Sequence, residues 1–297
     1  MTLRETLRNR TTLFWALVTA SLGLLLFAGV SWQVGNRLVA PMRVPAGPCP
    51  SDLAGEPILL GSSSGSIVSG WYVPGDRDKG TVILLHSIRR SRLQMVDRAR
   101  FLNRNGYSIL LIDLQSHGES SGECITAGHL ERFDVRAAVD FAHMRKPENP
   151  VAVVGISLGG AATVLASPLK IDAAVLESVY PTIDEAIGNR IRQRLGPLSP
   201  IAKEILLLQM KMRLGISPAA LRPVDHIGAL TCPVLVMAGS EDRLTPKEET
   251  RRLFQAAGER KQLIFFEGAG HVDLYQFDPN RYTELLLDFL EEHLQQQ

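Results

Sequence analysis

Ser157, with glycines two residues to either side at Gly155 and Gly159, is the residue of this sequence best placed for covalent chemistry. An apolar, β-prone run over residues 151–154 precedes it, and a helix-forming stretch begins at Ala161. A serine on a sharp strand-to-helix turn projects from the end of a sheet, and the small flanking residues let strand and helix approach without clashing. At the start of that helix the Leu158 N–H is free to stabilise a developing oxyanion, helped by the helix dipole. The plainer alternative is a glycine-rich turn with no chemistry. The strand before and the helix after favour the nucleophile.

A serine hydroxyl is a weak nucleophile at neutral pH and needs a base within hydrogen-bond reach. Of the seven histidines, His271 is best placed: it ends the loop Glu267-Gly-Ala-Gly-His271, after the last predicted strand and before the final helix. A loop histidine taken alone is more often a surface residue, and it is this position that argues for catalysis. An acid that orients the imidazole belongs at the end of the preceding strand, where residues 234–239 run into Ser240-Glu241-Asp242. The chain order serine, acid, histidine selects this loop, and within it Asp242 is preferred to Glu241.

These residues need a scaffold, and the hydrophobic pattern supplies one. Short apolar runs at 81–85, 107–112, 151–154, 173–176, 234–238 and 263–266 suit strands buried on both faces of a parallel sheet. Helical periodicity fills residues 93–103, 133–144, 247–257 and 282–294. Such alternation predicts an α/β fold, a mostly parallel, doubly wound sheet covered on both faces. An antiparallel hairpin over 58–61 and 67–73 should precede it. Residues 182–221 are longer than a crossover needs and read as a helical cap with an amphipathic run at 201–214, or else as a long crossover packed on the sheet. Lys203, Lys211 and Arg213 are assigned to the polar face of that cap.

Over residues 61–294 the sequence resembles the α/β-hydrolase superfamily, especially serine hydrolases related to the prolyl-oligopeptidase catalytic domain and membrane-anchored ABHD-type proteins. The resemblance implies a second oxyanion donor, a backbone N–H in the turn after the first central strand. That turn reads His86-Ser87-Ile88, with serine replacing the usual glycine, so the donor maps to Ser87 or Ile88. The segment Asp113-Leu-Gln115-Ser116-His117-Gly118 is similar to a family motif that commonly carries Arg and Gly at positions 115 and 116. Asp113 and His117 are assigned structural roles there. Arg89, Arg90 and Arg92 cluster beside the oxyanion turn, and Arg89 is a candidate for binding an anionic substrate group, against the plainer reading of solvated side chains.

The N-terminus is organised differently. No charge occurs between Arg10 and Arg37, and residues 13–34 span roughly 33 Å as a helix, enough for a hydrocarbon core of about 30 Å. Trp15 and Trp32 lie near its ends, and Arg4, Arg8 and Arg10 precede it. This predicts a tail and single-pass anchor over 1–36 with the catalytic domain on the extracytoplasmic side. A cleaved signal peptide is the rival reading. A proline-rich linker over 37–55 and the hydrolase domain over 56–297 should follow.

With 32 Lys and Arg against 31 Asp and Glu, no basic excess exists to neutralise phosphates, which excludes nucleic acid as a partner class. No phosphate loop, dinucleotide fingerprint or HExxH motif occurs, so the expected chemistry needs no cofactor and no metal. Cys49, Cys124 and Cys232 are too few for a disulfide scaffold, and their spacing leaves a Cys49–Cys124 pair open. The expectation is a serine hydrolase acting on a small-molecule or lipid-like acyl ester, with thioester and amide hydrolysis sharing the same intermediate. An acyltransferase or a non-catalytic binding protein on the same fold are the alternatives. Oligomeric state is left open.

Overall fold

In the computed structural model, residues 3–76 and 79–294 are described, except for the side chains of residues 3–11. The expected arginine tail, Arg4, Arg8 and Arg10, therefore has its side chains outside the described residues. An eight-stranded sheet forms the centre. Its strands are β1 (Glu56–Gly61), β2 (Ile67–Val73), β3 (Thr81–Leu85), β4 (Ser108–Ile112), β5 (Val151–Ile156), β6 (Ala173–Glu177), β7 (Val234–Gly239) and β8 (Lys261–Phe266). The spatial order is β1-β2-β4-β3-β5-β6-β7-β8. β2 is antiparallel to both β1 and β4, as a hairpin requires, and every other neighbouring pair is parallel.

The central strands are apolar throughout because both faces are covered. In β3, Ile83 and Leu85 enter the core on one face and Val82 and Leu84 that on the other, all fully buried. Alternation of side chains along a strand dictates this division. Each such Leu or Ile contributes about 1.5–3 kcal/mol by leaving water. Helices α3 (Glu131–Arg145) and α4 (Leu158–Leu165) cover the first face, and α2 (Val96–Arg104) and the C-terminal helix the second.

The segment between β6 and β7 is helical, with α5 (Ile183–Leu195) and α6 (Ser199–Leu214) packed on each other. Thr182 caps α5, its hydroxyl accepting from the Glu185 N–H, and Pro200 sits in the first turn of α6, where its missing N–H costs nothing. Helix α7 (Lys247–Ala256) follows β7, and α8 (Pro279–His293) closes the chain.

Helix α1 (Leu3–Val39) touches α6 near its C-terminal end, and the most apolar 18-residue stretch within residues 12–39 has mean hydropathy 2.2 and is not buried in the protein. The segment after it is extended, as its prolines require, and is held to the domain. Met42 and Arg43 pair in parallel with His117 and Gly118, the Arg43 guanidinium donates to the Ser120 and Gly122 carbonyls, and Glu119 accepts from the N–H groups of Ala46 and Gly47. The three cysteines are free thiols.

Candidate active site

At the carboxyl ends of β3 and β5 the order of strands reverses, since β4 follows β3 to one side and β5 lies on the other. Crevices for ligands form at such points. The sequence places the His86 turn after β3 and Ser157 after β5, so both turns open on the same place.

Ser157 has φ 49° and ψ −103°, a conformation non-glycine residues avoid. Holding it costs on the order of 1–3 kcal/mol, which surrounding structure must offset. Its N–H donates to the Glu177 carbonyl at 2.7 Å, fixing the turn to the end of β6. The flanking glycines are sterically required: a Cβ on Gly155 would lie 2.5 Å from the Gly160 nitrogen, and one on Gly159 would lie 2.6 Å from the Leu85 Cβ. Leu158 is the first residue of α4, so its N–H faces away from any intrahelical acceptor.

His271 and Asp242 are in direct contact. Asp242 Oδ2 accepts from His271 Nδ1 at 2.7 Å, while Oδ1 accepts from the Leu244 and Thr245 N–H groups, each at 2.8 Å. The Asp242 side chain is fully buried. Glu241 is exposed and only its backbone is engaged, donating to the Ala269 carbonyl. A carboxylate on Nδ1 leaves Nε2 as the basic nitrogen. Among the described residues, no hydrogen bond joins Ser157 Oγ to His271.

The oxyanion turn divides the two candidates. The Ser87 N–H and hydroxyl both donate to the Gln94 side-chain oxygen, each at 2.9 Å. The Ser87 N–H is thereby engaged, whereas the Ile88 N–H has no such acceptor among the described residues. His86 is fully buried and neutral: Nε2 accepts from the Leu114 N–H at 3.0 Å and Nδ1 donates to the Ser87 carbonyl. Burial pushes its pKa down to about 4, and that of His117, whose ring lies 5.0 Å from it, down to about 4 as well.

Two of the three arginines of the cluster have protein partners. Arg89 reaches away to donate to the Arg37 carbonyl at the end of α1, at 3.0 Å. Arg92 is buried, where it pairs with Asp113 at 3.0 Å and with Glu119 and lies over the Trp71 ring. Asp113 accepts from the Arg92 and Glu119 N–H groups, so it fixes the loop as its structural assignment requires. Ser116 has φ 61°, a conformation that glycine adopts without steric cost. Arg213, expected on the polar face of the cap, instead contacts α1, its guanidinium 3.6 Å from the centre of the Trp32 ring.

Sequence reasoning missed a buried knot that ties the three turns together. Arg98 donates to Glu177 at 3.0 Å, to Asp273 at 2.8 Å and to the Tyr282 hydroxyl at 2.8 Å, and Tyr282 in turn donates to Glu177. Glu177 carries the carbonyl that holds Ser157, Asp273 lies two residues beyond His271, and Gln94, which holds Ser87, also donates to Asp273 at 3.4 Å. Burial raises the Glu177 pKa against the pull of Arg98; for Asp273 burial acts the same way, but bonding to Arg98 outweighs it and the pKa is lowered. The available signal was Glu177 itself, a lone carboxylate ending an otherwise apolar strand.

The fold is that of an α/β hydrolase. Residues 82–285 match the Alpha/beta hydrolase family, and the chain belongs to it. Among curated proteins it is similar to the uncharacterized protein Rv2307c of Mycobacterium tuberculosis, 27% identical over 270 residues that cover 88% of this chain and 89% of the other. It also resembles the uncharacterized protein YqkD of Bacillus subtilis, 23% identical with 78% of each covered, and rat monoglyceride lipase, 25% identical with 78% of this chain and 88% of the lipase covered. Among solved structures the Pyrococcus furiosus esterase Pf2001 shares the fold at TM-score 0.72, with 24% identity over 87% of this chain and 99% of the esterase.

Proposed function

We propose that this hydrolase cleaves carboxylic esters through an acyl-enzyme on Ser157. His271 Nε2 takes the Ser157 proton as Oγ attacks the acyl carbon, and the Leu158 and Ile88 N–H groups receive the oxyanion. The imidazolium then protonates the leaving alcohol, and a water activated by His271 releases the acid. Asp242 holds the ring in the tautomer that makes Nε2 the base and stabilises the imidazolium. Thioesters and amides pass through the same tetrahedral intermediate, and esters are preferred because the structural neighbours include esterases.

The observations that carry this reading are the 2.7 Å bond between His271 and a fully buried Asp242 and a serine held at positive φ on the turn after β5. Strain of that kind persists where surrounding structure enforces it and clusters at active sites. The test is intact-mass analysis of enzyme quenched during turnover of a slowly deacylated ester. The expected product is one acyl group on the peptide that contains Ser157; acylation elsewhere, or none with turnover intact, would overturn it.

The second part of the proposal concerns place. Residues 12–39 serve as a single-pass anchor, and the hydrolase domain lies on the extracytoplasmic side. Length, apolar composition and the absence of burial support the anchor, and the arginines before the span support the sidedness. Substrates of lipid-like character fit a site tethered to a membrane.

A further inference from the structure

The cap carries an apolar stripe that none of the other described residues covers. Ile201 is 63% exposed, Leu208 59% and Met212 65%, with the half-buried Ile205 among them, at the i, i+4, i+7, i+11 spacing of one helix face. Leu198, just before α6, adds a further exposed leucine at 64%. Scattered exposed leucines need no explanation, but a contiguous apolar face with polar borders marks a contact surface.

What lies at the borders identifies the occupant. On one side of the stripe α6 packs against the last turns of α1. Gln209 donates to the Ser31 hydroxyl at 2.8 Å, and Arg213 bonds the Asn36 side chain and the Trp32 carbonyl while stacking on the Trp32 ring. Gly35 allows this approach, since a side chain there would meet Gln209. On the other side stand Glu204 and Lys211, both exposed. The stripe therefore continues directly from the uncovered apolar surface of α1, at the end where Trp32 belongs in a headgroup layer.

We infer that this face of α6 is a second membrane contact, seated in the phospholipid leaflet from which the C-terminal end of α1 emerges. The inference rests on the anchor reading of α1. An α1 that spans a bilayer fixes the depth of Trp32, and the contacts from Gln209 and Arg213 then fix α6 at the same depth. An amphipathic helix at that level lies in the interface with its apolar side toward the acyl chains. Lys211, exposed at the border, reaches headgroups as its alkyl stem covers apolar surface, while Arg213 stays bound to α1. The consequence is access: α5 reaches the acid loop, with Asn189 donating to the Leu244 carbonyl at 3.3 Å, and Arg89 of the oxyanion turn holds the end of α1. The mouth of the site thus adjoins the bilayer, where an ester of a long acyl chain is dissolved.

The test uses the full chain in phosphatidylcholine vesicles with a fluorophore on Leu208→Cys or Met212→Cys, in a background of Cys49→Ser and Cys124→Ser. Glu292→Cys is the control, because α8 ends beside Lys79, which precedes β3 at the amino ends of the central strands, opposite the carboxyl ends where the site lies, and is bonded there through Glu291. Phospholipids brominated on the acyl chains should quench the labels at 208 and 212 at least twofold more than the label at 292. Leu208→Asp with Met212→Asp should raise the apparent KM for a long-chain monoacyl ester in vesicles about tenfold or more and leave hydrolysis of a short soluble ester unchanged. Equal quenching at all three positions, in protein that resists alkaline extraction, overturns the cap contact and leaves the anchor standing. Release of the chain by alkali overturns the anchor. Cross-linking of chains through the thiol of the Leu208→Cys variant, without bromolipid quenching, would assign the face to a second copy and likewise overturn the inference.

Discussion

Around Ser157 every residue from Val151 to Gly160 is buried, and a single added carbon at Gly155 or Gly159 would collide with backbone or strand, whereas the α5–α6 insertion leaves Leu198, Ile201, Leu208 and Met212 in the open. The two regions stand under opposite constraints. The nucleophile turn is defined from inside, by neighbours that permit one backbone path. The cap is defined from outside, by what it touches beyond the chain. The chemistry should therefore be sensitive to small changes and indifferent to the surroundings, and delivery of substrate the reverse.

The largest effect should come at the turn itself. Ser157→Ala and His271→Ala should each lower turnover on the order of 10⁴ to 10⁶, and the double variant should be scarcely worse, because the two act as a unit. Steady-state kinetics on the folded variants measures this. Losses that multiply would separate the two residues. Next, Asp242→Asn should cost about 10⁴ in kcat by presenting the wrong tautomer, while Glu241→Gln should cost little. A larger loss at Glu241 would move the acid by one position.

The knot beneath the turns should matter next. Arg98→Met leaves Glu177 and Asp273 buried without their counter-ion, and removal of one partner from such a group costs about 3–5 kcal/mol. Denaturant unfolding should register it, and the residual folded enzyme should lose kcat more than affinity, since three catalytic turns are tied to this side chain. A kcat equal to wild type would confine the knot to stability.

A smaller effect should appear with pH. His86 and His117 are held neutral, with pKa values pushed down to about 4 from an ordinary 6.5. Between those values the unfolded chain binds protons that the folded chain refuses, so stability is fully present above about pH 6.5 and falls as pH drops toward 4. The total is on the order of a few kcal/mol, lost through that window and flat above it. Replacement of both histidines by Gln should flatten the curve. At the other extreme, Ile201→Ser on the cap should change stability by about 0.5 kcal/mol or less and leave soluble-ester turnover intact.

Most of the fold was legible because buried parallel strands are apolar without interruption: the run 67–73 and the run 81–85 coincide with β2 and β3 to the residue. The ends were less so, since β5 and β6 extend through Ile156 and Glu177, and Glu177 is a carboxylate whose carbonyl holds Ser157. Ser157, Asp242 and His271 stand out by type and by place after strands. What joins them does not. Arg92 and Arg98 read as surface charge in a linear sequence, and only the fold brings Asp113 and Glu119 to the first and Glu177, Asp273 and Tyr282 to the second. Ser87 and Ile88 are equal candidates on paper, and a side chain seven residues on, Gln94, separates them. Likewise the proline-rich segment after α1 announces extended backbone but not the parallel pairing of Met42 and Arg43 that holds it down.

The most direct test of Ser157 as the nucleophile is labelling of the full-length protein with a fluorophosphonate, followed by mapping of the adduct. An activated serine should be labelled once, on the peptide containing Ser157, and labelling should vanish in Ser157→Ala and fall severely in His271→Ala with the fold retained. A folded Ser157→Ala protein that still labels and still turns over ester would contradict the serine mechanism.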